Sequence, residues 1–246
     1  MPDFSTRSAG IEIMDDLQCS GEVLHQTLRE LEIINKWLGG NRITIDAIKK
    51  LCRTAPDRQI TIADLGCGGG EMLRIIDAWG KKNNLHLKLI GFDANPNVIA
   101  FAKKNLADSP HIRFEAVDVF SSEFHHQEYD IVIGTLFFHH FNDDQLKSFF
   151  KQLRGRVKLG YIINDIHRHW IAFYSIKILT KLFSRSAMVK YDAPLSVLRA
   201  FWRKELCNIL EQAGPAEVTI SWRWAFRWQV VVRVSFYLFV SLFGLA

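Results

Sequence analysis

From Ile60 onward the chain alternates short, densely apolar runs with longer stretches in which apolar residues recur every three or four positions. The short runs, one starting at Ile60 and others over 87–93, 112–117, 129–134 and 159–165, predict strands, and 87–93 reads as a strand buried on both faces. The stretches 71–82, 96–107 and 143–156 between them read as helices. A regular strand–helix–strand order implies right-handed crossovers and a parallel sheet. Two later strands, 217–222 and 226–234, are separated by a short turn and predict a closing antiparallel hairpin.

The flanking segments follow other periods. Leu24, Leu28, Leu31, Ile34 and Leu38 form one apolar stripe, with Arg29, Glu30, Glu32 and Lys36 largely off it, which predicts an amphipathic helix over 21–38 ended by Gly39-Gly40. A second helix is expected to start with Thr44 as N-cap, with Ile43 and Ile48 as a hydrophobic staple, and to end before Pro56. These helices either cover the mouth of a site or pack as ordinary structure. Between the fifth and sixth strands lie about 50 residues, far more than a usual connection. Residues 170–183 there are dense in Trp, Phe, Tyr, Ile and Leu, with Lys177, Lys181 and Arg185 nearby. A helix this apolar must bury itself in a core, a partner or a lipid interface. The end, 235–246, is apolar too, but a bilayer span needs around 20 residues, which leaves peripheral membrane contact or packing on the insertion helix.

Composition narrows this further. A chain of 246 residues suffices for one α/β domain and falls short of two. The layout is a helical cap over 1–58, a core over 59–165, a helical insertion over 166–216, and closing strands with an apolar tail over 217–246. The net charge of +5 is dispersed rather than blocked, which fits a solvated basic surface, and basic runs interleaved with aromatics are missing, so no nucleic-acid partner is expected. The four cysteines form no Cys-x-x-Cys pair; neither a zinc site nor a disulfide framework is expected, and a reduced cytoplasmic compartment fits. Residues 1–10 contain Asp3 and Arg7 and no apolar run, unlike a signal peptide.

The first strand runs into Ala63-Asp64-Leu65-Gly66-Cys67-Gly68-Gly69-Gly70-Glu71. Glycines there let backbone N–H groups approach a ligand before the next helix starts. A dinucleotide fingerprint from Gly66 would need glycine at 71, where Glu71 stands. Asp64 would repel a pyrophosphate and suits a ligand with an amino group and a sulfonium. The next strand ends in Asp93, in the window for a carboxylate that binds ribose hydroxyls.

Asp-x-Gly-x-Gly-x-Gly with Asp93 and Asp118-Val119 resembles the class I S-adenosylmethionine-dependent methyltransferases over roughly residues 60–165. The resemblance implies a Rossmann-like α/β fold with a seven-stranded sheet, N-terminal helices and a helical insertion between strands five and six. It implies S-adenosyl-L-methionine held by Asp64, Gly66, Gly68, Gly70, Asp93, Ala94, Asp118, Val119 and Thr135, with Asp118 and Val119 beside adenine. After the fourth strand, Phe137-Phe138-His139-His140-Phe141 looks like the segment that lines the acceptor pocket. In small-molecule O-methyltransferases reading His-Asp-Trp-Ser-Asp here, the leading His is the general base, and His139 holds that position, although His140 and Phe141 replace Asp and Trp. A neutral imidazole suits a phenol's proton near pH 7; the alternative is that His139 bonds backbone at the helix start. His140 is expected to face solvent or bridge to the insertion.

Asp165 and His167 leave the fifth strand on the cofactor rim and are candidates to orient or deprotonate an acceptor, with Arg168 placed to hold an acidic group. No metal set is visible at a familiar spacing. Blocks such as Glu12-Ile13-Met14-Asp15-Asp16 and Asn35-Lys36-Trp37-Leu38-Gly39-Gly40 look like a bacterial subgroup associated with type III polyketide synthases. That resemblance implies a small lipophilic acceptor, methylated on oxygen or carbon. An Asn-Pro-Pro-Tyr motif, usual for methylation of base amino groups, is missing after the fourth strand.

Overall fold

In a computed structural model, which describes residues 2–53, 58–214 and 216–234, the alternation resolves into a seven-stranded sheet. Strands β1 (Ile60–Leu65), β2 (Leu87–Asp93), β3 (Arg113–Ala116), β4 (Tyr129–Thr135) and β5 (Val157–Ile166) are parallel; β6 (Glu217–Arg223) and β7 (Arg227–Arg233) close it antiparallel. The spatial order is β3-β2-β1-β4-β5-β7-β6. The order of the parallel strands reverses at β1, with β2 on one side and β4 on the other, and ligands of such sheets bind outside the carboxyl ends at this point.

The two-residue pleat sorts side chains to opposite faces. Ile131, Ile133, Ile162 and Val231 pack on one face under α2 (Gly40–Cys52), α3 (Glu71–Lys82) and α4 (Pro96–Asn105). Val132, Tyr161, Ile163, Val230 and Val232 pack on the other under α5 (Ser122–His125), α6 (Asp143–Leu153) and α9 (Arg203–Gln212). The insertion folds as α7 (Trp170–Phe183) against α8 (Ala187–Arg199), and α1 (Gly21–Trp37) touches α8.

The second helix corrects the sequence reading. It starts at Gly40, not after Thr44, because Gly39 takes φ 73° and turns the chain from α1 into α2 at a two-residue corner, Leu38-Gly39. Thr44 is inside the helix and fully buried, so its hydroxyl caps nothing. Instead it pairs with the Thr135 hydroxyl at 3.0 Å and accepts from Asn164 Nδ2 at 2.9 Å, and Gly40 O accepts from the same amide at 2.8 Å. These bonds seat α2 on the carboxyl ends of β4 and β5. Helices α4 and α6 end earlier than their apolar pattern suggests. The expected tail lies outside the described residues.

Gly160 sits where β5 passes between β4 and β7, and a Cβ there would lie 2.1 Å from the Val232 carbonyl oxygen. Backbone cannot yield as a side-chain tip does, so Gly160→Ala is expected to destabilise the fold by about 1–3 kcal/mol and lower Tm by roughly 2–12 °C. Thermal denaturation by circular dichroism checks this, and an unchanged Tm would refute the close β5–β7 approach.

Candidate active site

Asp64 stands near the end of β1 and is buried. The loop after it carries Gly66 at φ 62° and Gly68 at φ 51°. A Cβ on Gly66 would lie 2.3 Å from the Phe137 ring, whereas one on Gly68 would meet only Leu28 at 3.7 Å, so the loop presents its open side at Gly68. Asp93, at the end of β2, accepts from Asn95 N at 3.0 Å and from the Gly68 amide. Burial pushes the Asp64 carboxyl up to about 8, and the neighbouring Asp93 charge adds to the rise. Burial also lifts Asp93 to about 6, with the Asn95 and Gly68 amides opposing it. Two desolvated carboxyls at one switch point are held ready for a ligand that brings positive charge and hydroxyl donors.

The other end of the site is a 3-10 turn, Phe138–His140, that follows β4. Asp165, next to the end of β5, accepts the His139 backbone N–H at 3.1 Å and meets its Nδ1 at 2.7 Å. Burial raises the Asp165 carboxyl, but His139 and the Ile166 amide outweigh it and hold Asp165 below the usual range. An ionised carboxylate only accepts, so Nδ1 carries a proton toward Asp165, and in the neutral imidazole Nε2 is the nitrogen with the free lone pair. That Nε2 is buried without a hydrogen-bond partner. Facing it at 3.7 Å is Glu12 Oε1, also buried and unpartnered by a hydrogen bond, while Glu12 Oε2 accepts from Ser196 Oγ at 2.9 Å. Burial drives the Glu12 carboxyl up to about 7.

Glu12 is brought there by a network. Arg199, at the end of α8, donates to Asp15 Oδ2 at 2.5 Å and to the carbonyls of Gly10, His139 and His140, and its Nε lies 3.6 Å from Glu12 Oε1. His140 Nδ1 lies 2.6 Å from Asp15 Oδ1. Asp192 accepts the N–H groups of Ile13 and Met14 at 2.8 and 3.1 Å. Burial raises Asp15, but His140 and Arg199 overcome this and hold it well below the usual carboxylate range.

One cleft of about 1320 Å³ runs between the two ends. Single-ligand pockets measure roughly 300–1,000 Å³, so there is space for two molecules.

Residues 62–160 match the family described as methyltransferase domain. The methyltransferase match covers the strands and turns from β1 into β5, including Asp64, Asp93, Asp118 and His139. Among solved structures, the chain is similar to the plantazolicin methyltransferase BpumL in complex with SAH, at TM-score 0.63 and 17% identity over 87% of this chain and 94% of that one. It is similar to human N-acetylserotonin methyltransferase in complex with SAM, at TM-score 0.63 and 17% identity over 92% of this chain and 59% of that one. A third, the CurJ carbon methyltransferase, gives TM-score 0.59 and 15% identity over 79% and 54%. At such identities the likeness establishes the fold. None of the curated proteins matches the sequence.

Of the residues named from the sequence, Asp64, Gly66, Gly68, Asp93, Ala94, Asp118, Val119, Thr135 and His139 line the cleft. Gly70 does not; it is the N-cap of α3, and a Cβ there would strike Phe114 at 2.8 Å. Asp165 reaches the site through His139. His167 is a correction: it lies past the end of β5, where its backbone bridges to Phe201, and it lines a separate shallow pocket with Phe4, Trp202 and Trp228 instead of the cleft. Arg168 is also structural, fully buried and bonded to Phe4 O, Ala200 O and Glu205, with no fork left for an acceptor. His140 bridges to Asp15 of the N-terminal segment rather than to the insertion or solvent.

The sequence alone assigns no role to Glu12, Asp15 or Arg199; the block with Glu12 and Asp15 stands out only as family resemblance. Glu12, His139 and His140 each offer a ligand atom within 4.8 Å of the others. Zinc bonds of about 2.0–2.1 Å would need these atoms roughly 3.4 Å apart. The Arg199 guanidinium already supplies positive charge beside Glu12, so the arrangement favours acid–base chemistry. The electrostatics at the other end are directly measurable. In a carboxyl NMR titration, Asp64 is expected to ionise near pH 8, and Asp93→Asn is expected to lower that midpoint by removing the neighbouring charge. A midpoint near the ordinary aspartate value of about 3.9 would contradict the burial of Asp64.

Proposed function

We propose that the protein is an S-adenosylmethionine-dependent methyltransferase acting on a small, lipophilic aromatic or polyketide-type acceptor with an acidic hydroxyl. The observation that carries this reading is a single cleft joining the Asp64–Gly68–Asp93 end to the unpartnered Nε2 of His139. The cofactor is S-adenosylmethionine. Asp93 takes the ribose hydroxyls, Asp118 and Val119 flank the adenine, and the Gly68 loop with Asp64 receives the cationic methionine end. When bound, the cofactor supplies an electrophilic methyl carbon with a neutral thioether as leaving group. Phe137, Phe141, Ile176 and Leu179 give the acceptor part of the cleft apolar walls. Support for the acceptor class comes from these walls, from the resemblance to the type III polyketide synthase-associated subgroup, and from similarity to the citrinin polyketide synthase CMeT domain.

The residues then have distinct tasks. His139 Nε2 takes the acceptor's hydroxyl proton, which makes the oxygen, or a conjugated ring carbon, nucleophilic. Asp165 fixes the tautomer and stabilises the imidazolium. Glu12 faces the new positive charge. Much of the remaining acceleration is positioning of the nucleophile against the methyl carbon.

Asp93→Ala should weaken S-adenosylmethionine binding by about 1.5–3 kcal/mol, since two hydroxyls lose a charged acceptor, while the circular dichroism spectrum stays native. The raised carboxyls set the sign of the pH dependence: a cationic cofactor prefers their ionised form, so affinity should fall as pH drops through about 8 towards 6, with protons released on binding. Calorimetry in buffers of different ionisation enthalpy reads both, and no binding at all would sink the enzyme reading in favour of a non-catalytic subunit.

His139→Gln should lower turnover by about 10²–10⁴-fold with cofactor affinity nearly intact, and the loss should shrink for phenols already ionised at the assay pH. An equal loss for all phenols would make His139 a positioning residue. EDTA should leave turnover unchanged; metal-dependent activity would reassign Glu12, His139 and His140 as ligands.

A further inference from the structure

Helix α7 is anchored by one narrow side only. Ala172, Phe173 and Thr180 are buried and Ile176 is half-buried, whereas Trp170, Ile171, Tyr174, Ile178, Leu179, Leu182 and Phe183 are exposed, the last two at 68% and 77%. Positions 170, 174, 178 and 182 follow one another four apart, so these side chains form a continuous apolar stripe about 18 Å long. Lys177 and Lys181, also four apart, run along its edge, and α7 contains no acidic residue. Glu30, the carboxylate at its C-terminal end, is turned onto Ser184 and the amides of Arg185 and Ser186. At the other end Phe226 stacks on His169 and meets Trp222 edge-on, which sets the β6–β7 turn, with Trp224 72% exposed, beside the start of α7. The cleft is walled by Ser175, Ile176 and Leu179 of this helix and by Trp224, so it opens beside the same face.

We propose that the exposed stripe of α7, with the Trp222–Trp224 turn, docks on the surface of an anionic lipid bilayer. Apolar and aromatic side chains on one face with lysines at its margin are what an interfacial helix presents to acyl chains and headgroups. A second copy fits less well, because pairing α7 with itself would bring the lysines together with no carboxylate to meet them. Residues 235–246 of this chain carry no charge and would likewise leave the lysines unmatched. Among the described residues no helix is long and apolar enough to cross a membrane, so the contact is peripheral. The docking stands apart from the methyltransferase reading; only direct delivery of a lipid-dissolved acceptor into the cleft rests on it.

The test uses the full chain with phosphatidylcholine vesicles, with and without phosphatidylglycerol. The protein should float with the anionic vesicles, less so at high salt. Ile178→Glu with Leu182→Glu should cut vesicle partitioning by about tenfold or more, and Lys177→Glu with Lys181→Glu should remove the preference for phosphatidylglycerol, both with unchanged cofactor binding by calorimetry. In an Ile178→Cys variant, a water-soluble maleimide should label residue 178 rapidly without lipid and slowly with anionic vesicles. The proposal is overturned if residue 178 is already protected without lipid, which would mean a second copy or the chain's own 235–246 covers it. It is equally overturned if labelling stays rapid with vesicles, or if the protein does not float. Loss of cofactor binding with vesicle binding intact would fault the functional reading and leave the docking untouched.

Discussion

The buried guanidinium of Arg199 holds three remote parts of the chain together, and the geometry at His139 depends on it. Its donors reach the carbonyls of Gly10, His139 and His140 and the carboxylate of Asp15, so the N-terminal segment, α8 and the turn after β4 share one cation. Arg7 repeats the pattern, donating to Asp143, to the carbonyls of His139 and Phe141, and to Arg199 O. Buried ion pairs gain little over apolar packing, but removing one partner strands the other charge at a cost of about 3–5 kcal/mol. The network therefore specifies one arrangement more than it adds stability. What it specifies is the 3.7 Å gap between Glu12 and His139 Nε2.

The cofactor end is built on another principle. Its carboxylates sit on strand ends and its amides on a glycine loop, all fixed by the register of β1, β2 and β4 rather than by ion pairs. Sheet register is set by the buried alternation on both faces, and a slip of one residue would turn every side chain over. That is why Asp64 and Asp93 can be held as raised, desolvated carboxyls: the sheet supplies the rigidity and the ligand supplies the compensating charge.

This difference explains what could be read in the sequence. Strand positions, the glycine loop, Asp93 and the closing hairpin follow local rules of period and turn chemistry, and the structure has the elements in the predicted order; Asp118 is named through the family resemblance. His139 is named because it holds the position of the leading His in the resembling O-methyltransferase motif after the fourth strand. Thr44 misled because a threonine before an apolar run is an N-cap signal, while α2 starts directly after the Gly39 turn that ends α1. His167 misled because closeness to a strand end in sequence does not say which way the chain leaves the sheet. Glu12 and Arg199 lie 187 residues apart, and no local pattern could pair them.

The same division separates the part of the chain that matches the methyltransferase-domain model from the part that lies outside it. The matched region, 62–160, contains the cofactor loop and His139, but Glu12, Asp15, Asp165, Ser196 and Arg199 all lie outside it. The imidazole thus lies inside the matched region, while its Asp165 support comes at the end of β5 and its Glu12 neighbour from the N-terminal segment. Because Glu12 titrates near neutrality only while it stays buried, opening of the N-terminal segment would lower its pKa and move it away from Nε2 at once. Order in that segment and the proton chemistry of the site are therefore one variable, set by the same Arg199 contacts.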